Sequence, residues 1–120
     1  MARVADYVII RDSWKVDEGG FNTIKFTVPD NIDIRSRCVL NFMFKVATGD
    51  DTTVSVAING TDVWTWNATG AQDPPMRCMQ EVVADHIVMP GENIFQFDAN
   101  SSEFTFTKLS DIVLWFQANT

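Results

Sequence analysis

The segment RCVLNFMFKVA, residues 37–47, puts Cys38, Leu40, Phe42, Phe44 and Val46 on one parity and Arg37, Asn41 and Lys45 on the other. A period of two is the signature of a half-buried β-strand, because successive side chains leave opposite faces of the pleat. The pattern recurs in Ile24, Phe26 and Val28 of NTIKFTV and in Val54, Val56 and Ile58 of TVSVAI. Further strand candidates are DYVIIRDSWKV, TDVWTW, RCMQEVVADHIV, NIFQFDA, EFTFTK and SDIVLWFQA, whereas helical spacing is hard to find. Turn clusters separate them: DEGG, VPDN, TGDD, NG, ATGAQDPP, MPGEN and DANSS. Turn signals about 8 to 12 residues apart indicate an all-β sandwich or barrel. Eight or nine short strands in 120 residues favour two packed antiparallel sheets. No repeat, linker or low-complexity stretch intervenes, so residues 1–120 are expected to form a single β-sandwich domain.

Such a sandwich needs a core, and the composition supplies one: 46% of the residues are hydrophobic and 12% aromatic. Disorder requires low hydrophobicity and is excluded. The net charge of −7 repels a phosphate backbone unless basic residues cluster. The nearest approach to a cluster, Arg35 with Arg37, lies beside Asp30 and Asp33. Nucleic acid and anionic membrane surfaces are therefore not expected partners. No apolar run approaches the roughly 20 residues of a membrane-spanning helix. The start, MARVADYVIIRDSW, has too short an apolar run for a signal peptide. The chain reads as cytosolic or as the mature part of an exported protein.

AINGTDVWTWNATG, residues 57–70, decides how far function can be read. Asn59-Gly60 between two strand-like runs is a strong hairpin signal, since a type I′ turn needs positive φ at both positions. A two-residue loop pairs Ile58 with Thr61, Val56 with Val63 and Val54 with Thr65. Trp64 then faces Ser55 and Trp66 faces Thr53, so both indoles stand opposite Val54, Val56 and Ile58. If the valine face is core, the indoles lie outside, roughly 7 Å apart. A three-residue loop with a bulge reverses the placement. Outward indoles are either covered by the following loop or form a platform for a ligand. Trp115, in the apolar run IVLWF, is expected in the core; Trp14 divides between edge packing and a site.

Catalytic chemistry is not expected. His86 is the only histidine, and no G-x-S-x-G or HExxH pattern occurs. A strand histidine with a satisfied ring is the simpler reading. Asp30, Asn31 and Asp33, and separately Asp50 and Asp51, sit in turn clusters where acids serve turn chemistry. The alternative is a calcium site built from those five residues, because loop carboxylates suit a hard cation. No other cofactor is implied. Cys38 and Cys78 are expected to be buried free thiols on neighbouring strands, with a disulfide as the alternative.

Two stretches go beyond generic β-structure. VSVAINGTDVW resembles the strand-NG-strand hairpin of galactose-binding-like jelly rolls, V-x-V-N-G-x-x-V, through Val54, Val56, Asn59, Gly60 and Val63, with one extra residue before the turn. VMPGENIFQF is similar to that family's L-x-x-G-x-N-x-[IL]-x-[VF] segment through Gly91, Asn93 and Phe95 or Phe97. SDIVLWFQ fits its last core strand, which usually lies beside the first. The family includes carbohydrate-binding modules, accessory domains of glycosidases and purely structural members, and many hold a structural calcium. The resemblance implies a noncatalytic jelly-roll recognition domain.

Two functions follow as expectations. In the first, carbohydrate C–H faces pack on indole while polar side chains take the hydroxyls, with Trp64, Trp66, Asn67, Gln72, Asp73 and Trp14 as ligand-binding candidates. In the second, the aromatic surface makes a protein contact, as in a structural or assembly module or a homo-oligomer.

Overall fold

The computed structural model describes residues 2–16, 22–48, 52–68, 76–99 and 104–120. The strands are β1 (Arg3–Val16), β2 (Thr23–Val28), β3 (Cys38–Thr48), β4 (Thr52–Ile58), β5 (Thr61–Ala68), β6 (Arg77–Val83), β7 (Gly91–Ala99) and β8 (Phe104–Asn119). They form two four-stranded sheets, ordered β1-β8-β3-β6 and β2-β7-β4-β5, with every ladder antiparallel. No helix occurs among the described residues. The all-β, two-sheet sandwich expected from the alternation is the observed architecture, and β8 lies beside β1. EFTFTK and SDIVLWFQA are one strand rather than two, because the polar Ser110 and Asp111 form a bulge instead of a turn. Met43 pairs with Ser110 but Asn41 with Val113, and Asp111 takes a φ of 51°. The added residue keeps Leu109 and Ile112 both buried against the core.

The core lies between the sheets. Leu40, Phe42, Phe44, Leu109, Ile112 and Leu114 come from one side, and Val54, Val56, Ile58, Phe95 and Phe97 from the other, all at most 1% exposed. Fully burying each such side chain contributes about 1.5–3 kcal/mol. The inward parity read from RCVLNFMFKVA holds for Cys38, Leu40, Phe42 and Phe44.

The hairpin follows the expected turn but not the expected parity. Asn59 and Gly60 have φ of 52° and 83°, and Ile58 pairs with Thr61. Ala57 then pairs with Asp62, but Val56 pairs with Trp64, leaving Val63 as an extra residue in β5. This bulge, two ladder pairs past the turn, moves Trp64 and Trp66 to the face of Val56 and Val54. Trp64 is therefore a core residue, 6% exposed, wedged edge-on between Phe42 and Phe44 at centroid distances of 5.1 and 5.2 Å. The outward placement of the pair is corrected by that single inserted residue.

Three smaller expectations also change. RCMQEVVADHIV is a strand only as far as Val83; His86 lies in a turn with φ of 64°, and its backbone N donates to the Ile34 carbonyl. Its exposed ring donates from Nδ1 to the Asp85 carboxylate at 2.8 Å, an interaction that lowers the Asp85 pKa. Both cysteines are free, but only Cys38 is buried, while Cys78 is exposed. Cys38 pairs with Val83 and Cys78 with Met43 on the β3–β6 ladder, five rungs apart. That is roughly 16 Å along the strand, beyond disulfide reach.

Candidate functional site

With Trp64 in the core, the indole that the fold presents to solvent is Trp115, 41% exposed. The expectation that Trp115 is core is corrected: in β8, Leu114 and Phe116 point inward and are buried, so Trp115 between them must point out. It sits mid-sheet on the outer face of β1-β8-β3-β6. Tyr7 of β1 and Val39 of β3 flank it as direct cross-strand partners, and Val39 pairs onward with Val82 of β6. The row Tyr7, Trp115, Val39, Val82 thus crosses all four strands, with exposures of 51, 41, 36 and 57%. The Tyr7 and Trp115 ring centroids are 5.1 Å apart with an interplanar angle of 45°.

Polar groups border the row on one side. Two residues along the strands from Tyr7 and Trp115, Ala5 pairs with Gln117, and a shallow hollow of about 190 Å³ is lined by Ala5, Arg37, Val39, Trp115, Phe116 and Gln117. An indole beside an amide and a guanidinium can stack on an apolar ring face and hydrogen-bond its substituents. Neither Tyr7 nor Trp115 was singled out for a site from sequence. The signal was present: strict alternation through Ile112, Leu114 and Phe116 leaves Val113 and Trp115 outward.

Among the described candidates, Trp64 is in the core, and Trp14 and Trp66 lie on different sheets. Trp66 is half-buried, edge-on to Phe44 at 5.1 Å, with the Arg77 guanidinium 5.8 Å from its ring centroid. Asn67 is exposed and accepts a hydrogen bond from Thr53 Oγ1 at 2.8 Å. Gln72 and Asp73 lie outside the described residues. Trp14 is half-buried and packs on Phe95 at 6.2 Å, which is edge packing.

Of the proposed cation ligands, Asp33 is committed elsewhere. Its Oδ2 accepts from Arg3 Nη1 at 2.9 Å and Ser36 Oγ at 3.1 Å, and its Oδ1 from the Arg35 backbone N at 3.1 Å. A guanidinium already occupies the place a cation would take, so residues 30–33 do not fit a calcium site. Asp30 is exposed, and Asn31 uses its Nδ2 to donate to the Asn119 carbonyl. Asp50 and Asp51 lie outside the described residues. Among the described residues no group of three or more His, Cys, Asp or Glu is arranged to hold a metal.

The two antiparallel four-stranded sheets form a β-sandwich that is similar in fold to several solved structures. Three solved structures illustrate the likeness. Dimeric latent PorU from Porphyromonas gingivalis matches 98% of the chain with a TM-score of 0.70 and 10% identity, and the chain spans 13% of that protein. The EclA C-terminal domain, a sugar-binding protein, matches 95% of the chain and 79% of its own length, with a TM-score of 0.56 and 10% identity. A family 35 carbohydrate-binding module from Clostridium thermocellum matches 96% of the chain and 98% of its own length, with a TM-score of 0.50 and 15% identity. At such identities the likeness is one of fold. No family model matches the sequence, and neither does any curated protein.

Proposed function

We propose that the chain is a single noncatalytic carbohydrate-binding module whose ligand lies on the outer face of sheet β1-β8-β3-β6. The observation that carries this reading is the Trp115–Tyr7 pair, exposed side by side on a rigid sheet and bordered by Gln117 and Arg37. Sugar rings present C–H groups that stack on aromatic faces, while amide and guanidinium donors take hydroxyl oxygens. The sugar-binding EclA domain and the family 35 module support the reading by analogy of fold. Trp66 and Asn67 of β5 form a second candidate patch; Gln72 and Asp73 are candidates from the sequence alone. Calcium enters this reading only through Asp50 and Asp51, and a melt with and without EDTA tests it.

Tryptophan fluorescence titrated against a panel of soluble glycans tests the assignment. Trp115→Ala is expected to abolish the response to whichever glycan binds, and Trp66→Ala to preserve it. The reverse outcome moves the site to the β5 edge.

A second reading rests on the same apolar row. Tyr7, Trp115, Val39 and Val82 cover the full width of the sheet, as a protein-binding face would. Sedimentation separates the two: a monomer at high concentration removes self-association through this face.

A further inference from the structure

The end of the sandwich, where Arg3 of β1 pairs with Asn119 of β8, holds a second feature that the aromatic face does not use. Arg3, Asp33, Arg35 and Asn119 line an open cavity of about 500 Å³. Asp33 is buried, its side chain 6% exposed, and fixes the arrangement. Its Oδ2 takes Arg3 Nη1, and its Oδ1 takes the Arg35 backbone N, with Arg35 Nε 3.6 Å away. Ser36 Oγ braces the same group, accepting from Arg3 Nη1 at 2.8 Å and reaching Gln117 Oε1 at 3.3 Å. The carboxylate is thus a buried post that holds two guanidiniums at the cavity wall.

Neither guanidinium is used up by that task. Arg3 meets Asp33 through a single nitrogen, Arg35 approaches it through Nε, and their side chains remain 49 and 81% exposed. Each guanidinium carries five N–H donors in a planar fork, so donors remain for a ligand. Two guanidiniums against one carboxylate leave one positive charge in excess, on a protein whose net charge is −7. An excess of one charge matches a monoanion. A carboxylate fits both the charge and the fork, whereas a phosphate dianion would overshoot.

We propose that this cavity binds the carboxylate group of a small organic ligand, independently of the aromatic face. The test is an NMR titration of the ¹⁵N-labelled chain with sodium acetate at constant ionic strength, read at the Nε–Hε signals of Arg3 and Arg35. Sodium chloride and sodium phosphate form the other arms. Acetate is expected to give saturable shifts at both signals, and Arg35→Gln to weaken its apparent affinity about tenfold. Arg35 is surface-exposed, so the variant keeps the wild-type core amide spectrum. Trp115→Ala is expected to leave the acetate response unchanged, which separates this site from the sugar face. Equal shifts with chloride, saturation by phosphate but not acetate, no saturable shift in any arm, or an unaltered response in Arg35→Gln would each overturn the proposal.

Discussion

Asn59, at the tip of the β4–β5 hairpin, and Asn93, near the start of β7, are joined side chain to side chain: Asn59 Nδ2 donates to Asn93 Oδ1 at 2.8 Å. Asn93 is fully buried and satisfied, accepting also from the Met89 backbone N and donating to the carbonyls of Met89 and Gly91. Asn59 in turn accepts from the Ile94 backbone N and donates to the Ile87 carbonyl. Each asparagine sits in one of the two stretches that resemble galactose-binding-like jelly rolls. Both serve a single lock, which ties a turn with positive φ to an inner strand of its sheet.

Asn93→Ala should therefore cost more than a turn substitution would suggest. The buried Asn93 amide and three partly buried backbone partners lose their bonds at once, and the expected loss is about 2–4 kcal/mol by urea unfolding. Asn59→Ala should cost less, and the double variant less than the sum of the two, because they share the bond.

Deleting Val63 should leave the tryptophans on the core face: Asp62 then precedes Trp64 directly, so Trp64 still meets Val56 and Trp66 still meets Val54. The deletion removes the bulge rather than the core indole, and should shift the melting temperature far less than Trp64→Ala, which empties the place between Phe42 and Phe44 at a cost of about 3–5 kcal/mol. Thermal melting of the two variants checks this. Trp115→Ala, by contrast, should melt close to the parent protein, as expected for an exposed side chain.

The Asp33 carboxyl is held below its ordinary value of 3.8, first by the Arg35 backbone N–H and then by Ser36 and Arg3, against the opposing effect of burial. Because the folded state binds this proton less tightly than the unfolded chain, protonation favours unfolding. Its contribution is complete above the unfolded pKa of about 3.9 and is lost as pH falls through the lower folded value. Denaturation at a series of pH values should show wild type losing stability more steeply below about pH 4 than Asp33→Asn.

Thiol labelling should distinguish the two cysteines. Burial pushes the Cys38 thiol up to about 11, while Cys78 is exposed on β6. A maleimide or disulfide reagent at neutral pH should modify Cys78 alone in the native protein and both residues in denaturant. Rapid native labelling at Cys38 would contradict its place in the core.

Much of the fold was legible because alternation is enforced wherever one face meets the core and the other meets water. Cys38 to Phe44 and Ile24 to Val28 are such cases. Legibility failed where that contrast vanished or the count of residues changed. Val113 and Trp115 are apolar residues pointing outward, so IVLWF reads as uniformly hydrophobic although its parity is intact. Val63 adds one residue with no glycine or proline to mark it, and Asp111 does so within what reads as a turn. Only part of the charged cavity was local in sequence, Asp33 beside Arg35: Arg3 and Asp33 are 30 positions apart, and only the packing of β1 against the segment before β3 brings them together. The link between Asn59 and Asn93 was hidden for the same reason, since each explains itself as an ordinary turn residue.

The extra valine in the second arm of the hairpin also bears on how surfaces of such sandwiches can change. Whether that residue is taken up as a bulge or as a paired position exchanges interior for exterior along half a strand, without altering the identity of any aromatic. Lineages sharing these tryptophans could thus differ in which of them meets a ligand, and an alignment of the rings alone would score them as identical.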